Sequence, residues 1–220
     1  MPEAAEVEIV RLGLEETILY SEGARRKAFI TRIEIFDPKL ENEEFKNWNK
    51  EIKEFRRHGK LLGIEFTDGS LIAIHLRLAG RFVIGPDSKP RAVLHFKTLD
   101  SDSKSQLGVI SFADPRRFAT MKLIRSEDFQ NNQGPDLLHG NLDLWNPPDS
   151  KRATKTVLLD QTQIAGIGNY LIDESLWEQQ ILPSKPFNSL DKAQALDIAY
   201  KAREVAKRAL AHGGVSIKDY

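Results

Sequence analysis

Between residues 4 and 20 apolar side chains recur at Val7, Val10, Leu14 and Ile18 among charged neighbours. That spacing predicts an amphipathic helix. The period then changes. Ala28, Ile30, Ile33 and Ile35 predict a strand within residues 25–36, which Asp37-Pro38 ends. Residues 39–50 are polar and charged and read as a loop or short helix. Successive strands follow over 52–57, 61–66, 71–76 and 81–84. The Asp68-Gly69 pair between two of these apolar runs is a hairpin signal. Strands over 91–98 and 108–112 flank a polar turn at 100–106, and one over 121–124 closes the set.

The pattern shifts after Arg125. Residues 126–149 are rich in turn formers, with Asn131-Asn132-Gln133-Gly134-Pro135 and Asn146-Pro147-Pro148-Asp149. Beyond Ala153 the period is helical over 155–161, 170–180 and 190–211, with a Gly166-Ile167-Gly168-Asn169 turn between the first two. Ala195, Ile198, Ala199, Ala202, Val205, Ala206 and Ala209 form the apolar stripe of the last helix, and Gly213-Gly214 ends it. The chain therefore reads as a two-domain α+β protein. An amino-terminal helix and a β-sandwich of about eight strands occupy residues 1–125. Residues 126–150 are the hinge, and an all-α domain fills 151–220.

Composition narrows the choices. A chain of 220 residues with 40% hydrophobic and 29% charged content folds into one large or two small domains. It carries no apolar run of the ~18 residues that a membrane span needs, and its acidic start is unlike a signal peptide. It contains no cysteine, so disulfides and cysteine-ligated zinc are excluded and a reducing, intracellular setting is expected. Formal net charge is zero. Yet Lys53, Arg56, Arg57, Lys60, Arg77, Arg81, Lys89, Arg91 and Lys97 outnumber the acids around them, and a local basic face can bind phosphates.

The amino terminus carries the candidate chemistry. Once Met1 is removed, Pro2 presents a secondary amine beside the Glu3 carboxylate. An α-amino group titrates near ~7.7–8.0, so more of it is neutral and nucleophilic at pH 7 than of a lysine. Attack on a carbonyl-like carbon gives an iminium, an electron sink of the Schiff-base type. A frayed terminus is the plain alternative.

Several stretches, in order, decide between these. They are Met1-Pro2-Glu3 with Glu6-Val7-Glu8; Arg56-Arg57-His58-Gly59-Lys60-Leu61-Leu62; His75-Leu76-Arg77-Leu78-Ala79-Gly80; and Asp114-Pro115-Arg116-Arg117-Phe118. Then come Leu158-Leu159-Asp160-Gln161, Ala165-Gly166-Ile167-Gly168-Asn169-Tyr170 with Asp173-Glu174, and Gly213-Gly214-Val215-Ser216-Ile217-Lys218-Asp219-Tyr220. Together they resemble the formamidopyrimidine-DNA glycosylase and endonuclease VIII family of base-excision repair enzymes, and the formamidopyrimidine branch more closely. The resemblance covers essentially the whole chain. It implies that the all-α part is a helix-two-turn-helix module.

The resemblance implies roles. Pro2 would attack C1′ of a nucleotide extruded from the duplex, and β- and then δ-elimination would follow. Glu3 would handle the proton of the opening sugar ring, with Glu6 supporting it or simply capping the first helical turn. Lys60, His75 and Asn169 would grip phosphates, with Lys155 and Arg117 as further DNA contacts. Without the resemblance, Lys60 would read as a solvated strand lysine, His75 as a core histidine and Asn169 as a plain helix cap. Leu78, Arg116 and Phe118 would fill the gap left by the extruded base, although Phe118 reads equally as core.

Two departures are visible. Family members carry a carboxy-terminal zinc finger with four cysteines, or a zinc-less version of that hairpin. No finger or bound cofactor is expected within these residues. Ala4-Ala5 stands where the family has a bulkier residue and a proline, which is expected to loosen the segment that aims Pro2. The implied function is a glycosylase and abasic-site lyase acting on oxidised purines such as 8-oxoguanine and formamidopyrimidines in double-stranded DNA, working as a monomer away from membranes. A non-catalytic or lyase-only binder of damaged DNA is the alternative.

Overall fold

The computed structural model describes residues 1–40, 45, 48–99 and 105–214. Among them, helix α1 spans Ala4–Leu19. Its N-terminus is set by two acids. The Glu3 carbonyl accepts the Val7 amide at 3.1 Å, and the Glu6 carboxylate accepts the Glu3 amide at 2.9 Å. A carboxylate at the third helical position that reaches back to the cap amide is half of a capping box. A small hairpin, β1 (Tyr20–Ser21) and β2 (Ala24–Arg25), follows. The sequence pattern does not foresee it.

The main sheet comprises β3 (Lys27–Ile35), β4 (Lys50–His58), β5 (Leu61–Phe66), β6 (Ser70–His75), β7 (Arg81–Ile84), β8 (Ala92–Leu99), β9 (Ser105–Ala113) and β10 (Thr120–Arg125). Its order is β10-β6-β5-β4-β3-β8-β9-β7. The β3–β4 register runs through Phe29↔Glu51 and Ile30↔Lys50, whereas β3 pairs with β8 from Lys27↔Leu99 to Ile35↔Ala92. Strand β4 therefore links a β3/β8/β9/β7 group to a β5/β6/β10 group. Residues 62–66 are all buried, so both faces of β5 are covered. The β5–β6 turn has Gly69 at φ +82° and Asp68 accepting the Ser70 amide at 3.0 Å. Only a residue tolerant of the left-handed region closes so tight a turn cheaply.

The all-α part contains α2 (Thr154–Leu158), α3 (Asn169–Glu178) and α4 (Lys192–Ala211). Helix α4 begins with a complete capping box between Asp191 and Gln194 and buries the stripe of alanines, isoleucine and valine foreseen from its spacing. Its core also takes Leu137, Leu138, Leu142 and Trp145. Four residues of the stretch expected as a hinge thus enter this core.

The chain forms two compact units that interleave along the sequence. One comprises Met1, 10–57 and 61–129. The other comprises 2–9, 58–60 and 130–220. Segments on either side of the sheet sequence therefore join the helical unit, and Ala4 belongs to its core. Residues 215–220 of the last quoted motif lie outside the described residues.

Candidate active site and nucleic-acid contacts

In the helical unit the site is built around Glu3. Helix α3 starts at Asn169, and its cap residue, Gly168, has no side chain to satisfy the first amides. Glu3 does this instead. Its Oε2 accepts the Gly168 and Leu171 amides at 3.0 and 3.1 Å, and its Oε1 accepts the Tyr170 amide at 2.9 Å. The carboxylate is 6% exposed. Burial, the largest influence, pushes its pKa above the ordinary glutamate value. The Tyr170 and Leu171 amides and then the Lys60 charge pull it back, and Glu6 pushes it up again. The net direction is upward.

Gly168 makes this fit possible. A Cβ there would lie 2.1 Å from Glu3 Cδ and 2.2 Å from its Oε1. The Gly168 backbone is ordinary extended chain, at φ −121° and ψ −167°. The glycine is needed for space, not for conformation.

Lys60 lies in the turn between β4 and β5 and is 6% exposed. It is not the solvated strand lysine that its position in the pattern suggests. Residues 58–60 belong to the helical unit, and the turn is pinned within it. Asp136 accepts the Gly59 amide at 2.7 Å, and His58 Nε2 lies 2.9 Å from the Gly134 carbonyl. Gly59 sits at φ +56°, and a Cβ there would lie 2.8 Å from that of Ala165. Asp136 also accepts the Leu138 and His139 amides at 3.0 Å. Its role was not foreseen, because a lone aspartate in a Gly-Pro-Asp loop carries no signal of the turn it would hold.

Pro2 is half-buried and directly precedes Glu3. Ala4 and Ala5 are fully buried, and the Ala4 amide donates to the Gly166 carbonyl at 3.2 Å. This corrects the expectation that two alanines loosen the segment: the small side chains let it approach Gly166 closely. Glu6 is a helix-capping carboxylate in geometry, buried and engaged with the Glu3 amide. Asn169 is exposed at the first helical position, and Gly168 rather than Asn169 is the cap. Lys155 is paired with Asp173 at 2.8 Å.

The sheet unit holds the remaining candidates. His75 ends β6, in register with Leu61 on one side and Thr120 on the other. It is half-buried, not a core histidine. Its Nδ1 accepts the Arg77 amide at 3.1 Å, which places the proton of the neutral ring on Nε2. Leu78 is 47% exposed and Phe118 58% exposed, so Phe118 is not core. Their loops touch. A Cβ at Gly80 would lie 3.0 Å from Ala119 Cβ. Arg116 is exposed, while Arg117 is bound through Nε and Nη2 to Asp37.

The basic face is less free than the sequence suggests. Lys53 and Arg56 share Glu65, Arg81 pairs with Asp87, and Arg91 pairs with Asp37. Among the described residues, no group of three or more His, Asp or Glu is arranged to hold a metal ion, and none of the helices is long and apolar enough to cross a membrane.

Residues 1–121 match the formamidopyrimidine-DNA glycosylase N-terminal domain, and residues 140–220 match the formamidopyrimidine-DNA glycosylase H2TH domain. A formamidopyrimidine-DNA glycosylase of Streptococcus pneumoniae R6 is 32% identical over 237 aligned positions, covering all of this chain and 81% of that protein. One from Herpetosiphon aurantiacus is 30% identical and is 82% covered. Among solved structures, Lactococcus lactis Fpg in complex with DNA containing an abasic site superposes with a TM-score of 0.79 at 28% identity, covering 99% of this chain and 82% of that one. A mutant of the same protein with Fapy-dG-containing DNA gives 0.80 at 29% identity, with 100% and 82% covered.

Proposed function

This chain belongs to the formamidopyrimidine-DNA glycosylase family, and from that premise we propose that it is a base-excision repair glycosylase that binds damaged double-stranded DNA and cleaves it by Schiff-base chemistry at Pro2. The observation that carries the reading is the Glu3 carboxylate. It is buried beside Pro2 and held by the amides of Gly168, Tyr170 and Leu171 at the start of α3, with its pKa raised. A carboxyl group that keeps its proton nearer to neutrality is suited to donate it.

The proposed reaction needs Met1 removed, since only then is the Pro2 nitrogen an amine. That nitrogen attacks C1′ of the damaged nucleotide, and the glycosidic bond breaks. Glu3 gives its proton to the sugar ring oxygen as the ring opens. The C1′–N iminium then acidifies C2′–H: the Glu3 carboxylate left by the ring opening takes that proton, the electron pair forms the C2′–C3′ double bond as the 3′ phosphate leaves, and the 5′ phosphate follows in a second elimination. Lys60, His75 and Asn169 are proposed to grip backbone phosphates. The exposed amide side chain of Asn169, at a helix start, suits that task. Leu78, Arg116 and Phe118 are proposed to enter the stack where the nucleotide has left, which needs exposed apolar and planar side chains.

Oxidised purines are the proposed lesions. The test is a strand-cleavage assay on duplexes carrying 8-oxoguanine, a formamidopyrimidine or a preformed abasic site. Cleavage of all three with phosphorylated ends on both sides of the gap is expected. Cleavage of the abasic duplex alone reduces the activity to a lyase. Cleavage of none, by folded protein lacking Met1, overturns the enzyme and leaves a binder of damaged DNA.

A further inference from the structure

Residues 114–119 form a loop that the sheet unit clasps from two sides. From within, Asp114 Oδ1 accepts the Arg116 amide at 3.0 Å and Oδ2 accepts the Ala119 amide at 2.7 Å, while the Asp114 carbonyl accepts the Arg117 amide at 3.1 Å. From outside, Arg91 reaches both ends. Its Nε donates to Asp37 at 2.6 Å, and its Nη1 donates to the Ala119 carbonyl at 2.7 Å and lies 3.4 Å from Asp114. Asp37, Arg91 and Asp114 are all buried.

Arg117 is the odd member. It has φ +56°, a left-handed conformation that a residue with a side chain adopts only when its surroundings impose it. Its guanidinium runs back to Asp37, which it meets through both Nε, at 3.0 Å, and Nη2. Asp37 is then fully subscribed. Its Oδ1 takes the Lys39 amide and Arg117 Nη2, and its Oδ2 takes Arg91 Nε and Arg117 Nε. Four donors fill the four acceptor positions of a carboxylate. The residues on either side, Arg116 and Phe118, are exposed.

We infer that Arg117 is a positioning residue and not a DNA contact: its two-point bond to Asp37 holds the 114–119 loop in the conformation that turns Arg116 and Phe118 outward. The inference rests on the proposed wedge role of Arg116 and Phe118 and adds what aims them. Two exposed side chains of an unrestrained loop would lose conformational entropy on insertion, and the latch removes that loss beforehand. The Arg117 bond is also the largest influence that holds the Asp37 carboxyl below the usual range.

The test uses the full chain and a duplex with 2-aminopurine beside a tetrahydrofuran abasic analogue, whose fluorescence rises when the stack is opened. Binding is measured in parallel as a function of salt. Asp37→Asn and Arg117→Gln are each expected to suppress the fluorescence rise, the double variant no more than either alone, with the salt slope of binding unchanged. Arg117→Lys is expected to fail like Arg117→Gln, because a lysine cannot bridge both oxygens. If Asp37→Asn does not fold, the half-exposed Arg117 variants carry the comparison. A phosphate contact gives another pattern. Arg117→Gln would lower the salt slope by about 1, Arg117→Lys would restore it, and Asp37→Asn would leave the fluorescence intact. That pattern overturns the latch. Phe118→Ala separates the two claims. A fluorescence rise that survives it removes the wedge reading, and the latch with it. Its loss in Phe118→Ala, with the rise intact in both latch variants, overturns the latch alone.

Discussion

Glu3 and Gly168 stand 165 residues apart in the chain, yet the Gly168 amide donates to Glu3 Oε2 at 3.0 Å and leaves no space for a side chain of its own. A carboxylate from one helix start serves as the cap of another. Each amide bond to a charged oxygen is worth about 1.5–3 kcal/mol, enough to fix the orientation of the acid before any substrate arrives.

Gly168→Ala tests that fit. The backbone is compatible with alanine, so the added methyl acts only by pushing on Glu3. The atoms it meets are the far end of a side chain, which can move. Overpacking of this kind costs about 1–3 kcal/mol. The expected outcome is a modest loss of thermal stability with a drop in cleavage rate of at least about tenfold, seen as unequal changes in Tm and kcat. Equal rates for the variant and the wild type would show that the cap does not aim Glu3.

The raised Glu3 pKa has a defined sign. Between the unfolded and folded pKa values the native state binds the extra proton, so stability falls as pH rises through that window. Activity that needs protonated Glu3 falls over the same range. Carboxyl carbon NMR is expected to show Glu3 titrating above the ordinary ~4.3 of a glutamate. Lys60→Ala removes a nearby positive charge and is expected to raise the value further. A downward move would mean that the lysine does not act on this carboxylate.

Asp37 has the opposite sign. Its carboxyl is held low, so its contribution to stability is present above ~3.9 and is lost as pH falls through the folded value. The difference in melting temperature between wild type and Asp37→Asn is expected to be largest near pH 7 and to shrink below about pH 4. A gap that is constant down to pH 2 would assign the effect of the variant to packing.

Much of this was legible in the sequence where the signal is local. The stripe of α4 follows from its 3.6-residue period, and the β5–β6 turn from Asp68-Gly69. Residues 137–145 escaped because Leu137, Leu138, Leu142 and Trp145 enter the core without a helical or strand period. The 20–25 hairpin escaped because its turn residues, Glu22 at φ 49° and Gly23 at φ 80°, join strands of only two residues each. The partners of the candidate site were invisible for a different reason. Glu3 to Gly168, Gly59 to Asp136 and Arg117 to Asp37 are isolated polar contacts across 77 to 165 residues, and no periodicity marks their ends. Arg117 shows the consequence: one more arginine in a basic motif reads as a DNA contact until its carboxylate partner is seen.

Asn169 offers a test of the phosphate grip. It is exposed at the head of α3, the helix whose buried amides hold Glu3. Asn169→Ala is expected to weaken binding to abasic-analogue DNA about equally across sequences, with little change in Tm. An accompanying Lys155→Ala is expected to add less, since Asp173 already occupies that lysine. Unchanged affinity in Asn169→Ala would remove it from the interface.

The most direct measurement is borohydride trapping. Protein whose mass establishes the loss of Met1 is mixed with a duplex carrying one abasic site, reduced with borohydride and run on a denaturing gel. The expected result is a covalent protein–DNA adduct that disappears in Pro2→Gly and forms at a reduced rate in Glu3→Gln. No adduct from folded, processed protein, or an adduct that persists undiminished in Pro2→Gly, would contradict Schiff-base chemistry at the amino terminus.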